Sequence, residues 1–291
     1  MEKAVAALKH GLTPMKNVFA IDVDSTPVAK NQSVYVPLAT ARSAAAYTNT
    51  YEDGNTTIVG YQVNCNTHLM ASFHITEEQS MATPTDAFEA QAVECAYALA
   101  AGVQNTVFNA ITLANFGSTE NTDEYTIAAG SFDTDAVAHI RQICTKTNKW
   151  RPDKSRALVL DGAYIANLLK DSAVVDLSAS GMSALQTGSI AKLMGFDIYE
   201  NNLVVGSTPG TGENLVGFAA LPQCLGVAVR PVVVLSDAYD FADVATDPES
   251  KISMSYRRWV NTATGDLWGT FTVLMGVGKV DASALVAVRS A

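Results

Sequence analysis

Between Thr83 and Leu113 the chain carries one unbroken apolar stripe, and few folds accommodate a helix of that length. Phe88, Ala92, Ala96, Leu99, Val103 and Val107 recur every three or four residues, which places them along one face of an α-helix. Thr83 is a capping residue type. Pro84 suits the first helical position, where its missing N–H would have no partner anyway. Roughly 30 residues at ~1.5 Å each predict a rod of about 45 Å. A mean globular helix has only about 11–12 residues. Such a rod is a spine, along which other elements must lie.

The segments before it read as strand. Residues 1–33 are weakly patterned: Ala4 to Leu8 allow a short helix before Gly11, and Asp24, Pro27 and Asn31 break regularity. This stretch is expected to be an extended arm that a partner orders. From Val34, apolar Val36 and Leu38 alternate with Tyr35 and Pro37 until the polar run YTNTYEDGNTT, where Asp53-Gly54 is a strong turn signal. TIVGYQVN and HLMASFHIT follow, with Leu69, Ala71, Phe73 and Ile75 on one strand face. Together they predict a long β excursion with a polar tip.

After the spine the chain alternates. SFDTDAVAHIRQICTKTNK predicts a helix capped by Asp133 or Thr134, with Val137, Ile140 and Ile143 on one side. ALVLD reads as a buried strand and GAYIANLLK as a helix. GFDIYENN and NLVVG read as strands, GSTPGTGEN as a Gly-rich loop, GFAALPQCLGVAVRP as a small-residue helix or turn, and VVVLSDAYD as a strand. KISMSYRRWVN and LWGTFTVLMGVGKV flank the turn NTATGD and predict an antiparallel hairpin long enough to lie along the spine.

Chemistry is harder to find. A net charge of −10 and a pI near 4.8 argue against a chain-wide nucleic-acid footprint. No apolar run approaches the ~18–20 residues that cross a bilayer, and the N-terminus lacks the pattern of a signal peptide. A cytosolic product is therefore expected. Cys65, Cys95, Cys144 and Cys224 stand far apart, as free buried thiols do and zinc or redox pairs do not. GSTPGTGEN lacks the Lys-Ser or Lys-Thr of a phosphate-cradling loop, and Gly276-Val277-Gly278-Lys279 is followed by Val280, which carries no hydroxyl. His68 and His74 share a strand face but stand about 20 Å apart. His139 sits on a helix near Asp133, Asp135 and Arg141, and Asp22, Asp24, Glu77 and Glu78 lie in polar stretches. No catalytic constellation, metal site or cofactor site is expected.

The order of these segments resembles the major capsid (coat) proteins of tailed double-stranded-DNA bacteriophages and herpesviruses, the α+β Hong Kong 97-type fold. MASFHITEEQS and DAFEAQAVECAYALAAGVQNTVFNAI resemble the family's entry into its spine helix. RALVLDGAYIANLLKD and LQTGSIAKLMGFDIYENNLV resemble its axial-domain pattern. The resemblance implies an N-terminal arm at 1–33, an extended loop at 34–76, and a peripheral domain with the spine helix at 77–125. An axial α/β domain at 126–240 and returning peripheral strands at 241–291 complete it. It implies a structural protein and not an enzyme, self-assembling into pentamers and hexamers of an icosahedral shell around the genome. Synthesis and assembly would take place in the bacterial cytoplasm, and the product would be part of the virion. The implied partners are further copies of the chain, a portal, a decoration protein, and packaged DNA contacted without sequence preference. The chain starts without a long removable scaffolding segment, so a separate scaffolding protein is expected. Implied inter-subunit contacts are the hairpin tip (Tyr51, Glu52, Asp53, Gly54), an axial loop (Gly210, Gly212) and a peripheral loop (Gly265, Asp266). Some members crosslink through an extended-loop lysine. No lysine stands between Lys30 and Lys146 here, so that link is excluded. An encapsulin-like nanocompartment shell shares the fold and is the alternative. An enzyme built on the α/β middle unit or a secreted adhesin would need features that are missing.

Overall fold

In the computed structural model the spine helix packs against one six-stranded sheet, and its C-terminal end meets a second six-stranded sheet. The structure describes residues 2–23, 26–37, 60–76, 78–79, 84–151, 155–171, 174, 190–204, 214–233, 239–247 and 252–291. In chain order, α1 (Glu2–Val18) leads into β1 (Ala20–Val23), β2 (Gln32–Pro37), β3 (Gly60–Cys65) and β4 (Thr67–Ile75). The spine α2 (Pro84–Phe108) and short α3 (Leu113–Phe116) follow, then β5 (Glu124–Thr126), α4 (Thr134–Gln142), β6 (Ala157–Leu160) and α5 (Gly162–Leu168). The remaining strands are β7 (Lys192–Leu193), β8 (Phe196–Glu200), β9 (Leu215–Ala220), β10 (Leu225–Arg230) and β11 (Phe241–Thr246). The last three are β12 (Ser253–Val260), β13 (Leu267–Lys279) and β14 (Leu285–Arg289).

The first sheet runs β1-β10-β13-β12-β11, with β4 paired to the free side of β13. The expected hairpin is β12–β13, closed by Asn261–Asp266. β13 lies along α2, and β4 alternates as the sequence implies, with Phe73 and Ile75 buried on the spine side. The spine stripe is the core stripe: Ala92, Ala96, Leu99, Val103 and Val107 are all buried. The helix ends at Phe108 after 25 residues, short of Leu113. Thr112 caps a separate turn of helix, accepting from Asn115 N–H, and the Asn115 side chain donates to the Ala110 carbonyl at 2.7 Å.

Three expectations about single segments are corrected. The N-terminal segment is not an extended arm over residues 2–18 but helix α1, packed on the spine of its own subunit. Ala4, Val5, Leu8, Leu12 and Met15 form a buried face. Gly11 does not end the helix; it permits the crossing, since a Cβ there would stand 2.5 Å from Ala100 Cβ. Second, GFAALPQCLGVAVRP is neither helix nor turn but two strands, β9 and β10, joined by a tight connection. Every residue of both strands is buried, and a fully buried strand shows no alternation for a sequence reading to detect. Third, Asn202–Val204 is a 3-10 turn and not a strand. The strand expected at VVVLSDAYD lies mostly outside the described residues (234–238), and Val232 at its start bridges to Val28.

The second sheet runs β5-β14-β9-β6-β8-β7. The sheets therefore divide the chain differently from the expected 126–240 and 241–291. β10 belongs to the first sheet, and β14 crosses back to the second. Phe19 stacks on Phe218 of β9 and Phe108 packs tilted against it (ring centroids 5.7 Å apart in each pair), so the spine's end and the second sheet share one core. Directional bonds fix that joint. Gln104 donates to the Gly11 carbonyl at 2.6 Å and accepts from the Asn201 amide at 3.0 Å. The helix cap expected at Asp133 is present, its carboxylate accepting from Ala136 N–H at 2.9 Å.

Candidate assembly surface

The base of the expected β excursion is a two-stranded antiparallel ladder, from Gln32 opposite Cys65 to Pro37 opposite Gly60. Val36 and Val63 are buried beneath it against Ala228 and Leu274, on the sheet face opposite the spine. Glycines make room for the crossing. A Cβ at Gly226 would stand 3.3 Å from Val63, and one at Gly278 would stand 3.2 Å from the Tyr61 ring. Tyr35 points the other way and is strongly exposed.

Of the contact residues expected from sequence, Tyr51, Glu52, Asp53 and Gly54 lie outside the described residues, as do Gly210 and Gly212. Gly265 and Asp266 are described. They close the β12–β13 turn, where Asn261 N–H donates to the Asp266 carbonyl at 2.9 Å and Gly265 N–H to the Asn261 carbonyl at 2.8 Å. Gly265 takes φ 74°, a left-handed conformation that suits glycine. The Asp266 carboxylate accepts from the Thr264 hydroxyl at 2.8 Å, so its charge is held at the turn's surface.

Sequence reasoning missed a second feature, on the outer face of the first sheet. His68, Met70, Ser72 and His74 all project from β4 there and are exposed. Rings stack across the strands from His74 to Trp268 (4.8 Å) and on to Trp259 (6.1 Å), and Tyr239 packs tilted against Trp259 (5.8 Å). The Arg257 guanidinium lies 5.7 Å over the Tyr239 ring. The sequence did contain a signal, the alternation of HLMASFHI against the basic-aromatic RRW, but only the register brings those segments together.

No grouping of three or more metal-ligating side chains occurs among the described residues. All four cysteines are free and buried. Burial pushes the Cys144 thiol up to about 12 and raises Cys224 further, which is the reverse of nucleophile activation. A small cleft beside α1 is lined by Met15, Val18, Phe19, Phe108, Val159, Tyr199, Glu200 and Asn201, a mainly apolar wall with a single carboxylate. Among the described residues no helix is long and apolar enough to cross a membrane.

Known proteins supply the remaining comparison. No protein-family model matches the sequence, and no curated protein matches it. The fold does match solved structures. The capsid structure of Cyanophage P-SCSP1u aligns with a TM-score of 0.59 at 14% identity, over 95% of this chain and 88% of that one. A structure from Gordonia phage Cozz aligns at 0.56 and 15%, over 97% and 86%. The virus-like particle from Pyrococcus furiosus aligns at 0.54 and 13%, over 99% of each chain. The chain shares the mixed helix-and-sheet fold of these structures, phage capsids among them.

Proposed function

We propose that this chain is a shell-forming capsid subunit of a tailed bacteriophage, with pentamers and hexamers closing an icosahedral shell around double-stranded DNA. The observation that carries the reading is the coverage: 95% of the chain superposes on 88% of a phage capsid structure. The parts fit the Hong Kong 97-type plan. α2 with the first sheet is its peripheral domain, the β2–β3 hairpin the base of its extended loop, and the second sheet the core of its axial domain. No catalytic machinery is required of such a protein, and self-association is its activity.

A portal, a scaffolding protein and a decoration protein are the expected accessory partners, and assembly takes place in the host cytoplasm. Expression of the chain alone and with candidate scaffolds, followed by negative-stain microscopy and light scattering, tests this. Closed particles are the expected outcome; a monodisperse monomer under every assembly condition would sink it. Mature particles boiled in detergent should release one band near 30.8 kDa, because no lysine stands between Lys30 and Lys146 to form an extended-loop crosslink.

The second reading is a nanocompartment shell that encloses protein instead of a genome. The near-complete mutual coverage with the Pyrococcus furiosus virus-like particle favours it. Contents decide: nuclease-protected DNA in purified particles supports the phage shell, and a co-purifying protein cargo without DNA supports the compartment.

A further inference from the structure

On the outer face of the first sheet two cationic side chains, Lys30 and Arg257, flank His68, and among the described residues no acid is paired with them. Arg257 reaches over Thr272 (Nη1 to Oγ1, 3.4 Å), and its Nη2 donates to the Val233 carbonyl at 3.4 Å. Thr272 is paired directly with Met70, so the guanidinium stands next to Met70 and near His68, two residues along the same strand face. Lys30 arrives from the turn before β2, where the neighbouring Asn31 N–H donates to the Cys65 carbonyl at the entry to β4. The grouping is electrostatically felt: partial burial, then Arg257, then Lys30 hold the His68 imidazole below its ordinary range. Among the described residues none of the three forms an ion pair.

Between these charges lie two of the most exposed large apolar side chains described, Met70 at 72% and Val233 at 54%. Like charges gathered on one face repel, and exposed apolar groups gain nothing from water. An external surface that is acidic and partly apolar compensates both features. The chain itself is such a surface, with a net charge of −10. Identical acidic subunits repel one another, so stable contact between them requires the places where the sign reverses.

We infer that Lys30, His68, Met70 and Arg257 form a contact that receives an acidic surface of a second copy of this chain. The inference rests on the shell reading above and adds the face on which neighbours meet. Nucleic acid fits the patch less well. A phosphate backbone calls for a longer run of cations, and it offers nothing to two exposed apolar side chains.

The test uses the full chain. Lys30→Glu, Arg257→Glu and their combination are compared with wild type for thermal unfolding of the free subunit and for particle yield; Arg257→Gln keeps the stem and removes the charge. Unchanged unfolding with a particle yield lowered at least about tenfold by reversal, and less by Arg257→Gln, is expected from a charged contact repeated through a lattice. Should Arg257→Glu fail to fold, Lys30→Glu on its exposed side chain carries the test. Wild-type yield from folded reversal variants overturns the contact while leaving the shell reading intact. So does loss of binding to a short DNA duplex with particle yield unchanged, which reassigns the patch to nucleic acid. Absence of particles from wild type itself is the failure of the shell reading, and the contact falls with it.

Discussion

Gly276 lies directly under the backbone carbonyl of Asn64, so close that a Cβ at position 276 would overlap it. This contact is where the β2–β3 hairpin crosses β13, and it explains why a 13-residue strand otherwise rich in large residues carries a glycine there. The expected outcome of Gly276→Ala is a hairpin lifted from its seat, at a cost of about 1–3 kcal/mol for overpacking. Chemical denaturation measures the loss. Hydrogen exchange should show it concentrated in 32–37 and 60–65, and unchanged protection there would contradict the seat.

How much of this was legible beforehand depended on exposure. The β12–β13 hairpin was marked by its turn, Asn261–Asp266, although β13 is buried from Gly269 to Gly276; the spine and β4 each have one wet face, so their periodicity showed in the sequence. β9 and β10 have none, and Leu215–Ala220 and Leu225–Arg230 read as featureless small-residue runs. α1 was hidden by Gly11, a residue that ends many helices but here meets Ala100. The Lys30–His68–Arg257 grouping was invisible because its members lie on three separate segments that only strand register brings together.

A second prediction concerns Arg289, whose side chain is 4% exposed and pairs through Nε with Glu124 at 2.7 Å. Its Nη1 and Nη2 have no partner, so this carboxylate is the guanidinium's one compensating charge among the described residues. Glu124→Ala should leave a buried cation uncompensated and cost about 3–5 kcal/mol. Arg289→Met together with Glu124→Ala should recover much of that loss. Urea unfolding of the single and double variants decides; a single variant as stable as wild type would show that the pair contributes nothing.

The thiols give a third. Desolvation raises Cys144 from an ordinary value of 9.0 to about 12 and moves Cys224 in the same direction. Reaction with a thiol reagent at pH 8 should therefore be slow in the folded subunit and rapid in denaturant. The linkage sign follows. A thiol held neutral when folded contributes stability that is complete below pH 9 and declines as pH rises toward 12, because the unfolded chain ionises first. Fast labelling of native protein would show that these cysteines are not buried in solution.

The last prediction separates lattice contacts from folding. Asp266 closes an exposed turn, its carboxylate accepting from Thr264, and the turn adds little to the core. Glu52 and Asp53 belong to the polar run predicted as the hairpin tip. Surface changes of this kind usually alter stability by less than about 0.5 kcal/mol, so Asp266→Lys and the pair Glu52→Lys with Asp53→Lys should leave the free subunit's unfolding nearly unchanged. Like charges set across a repeated contact cost several kcal/mol, which is enough to abolish a shell whose every subunit repeats the error. Particle counts by microscopy, set beside unfolding curves of the same preparations, are the measurement. Normal particles from both variants would place the lattice contacts elsewhere. If Lys30→Glu and Arg257→Glu still blocked assembly, the outer sheet face would then be the principal contact between neighbours.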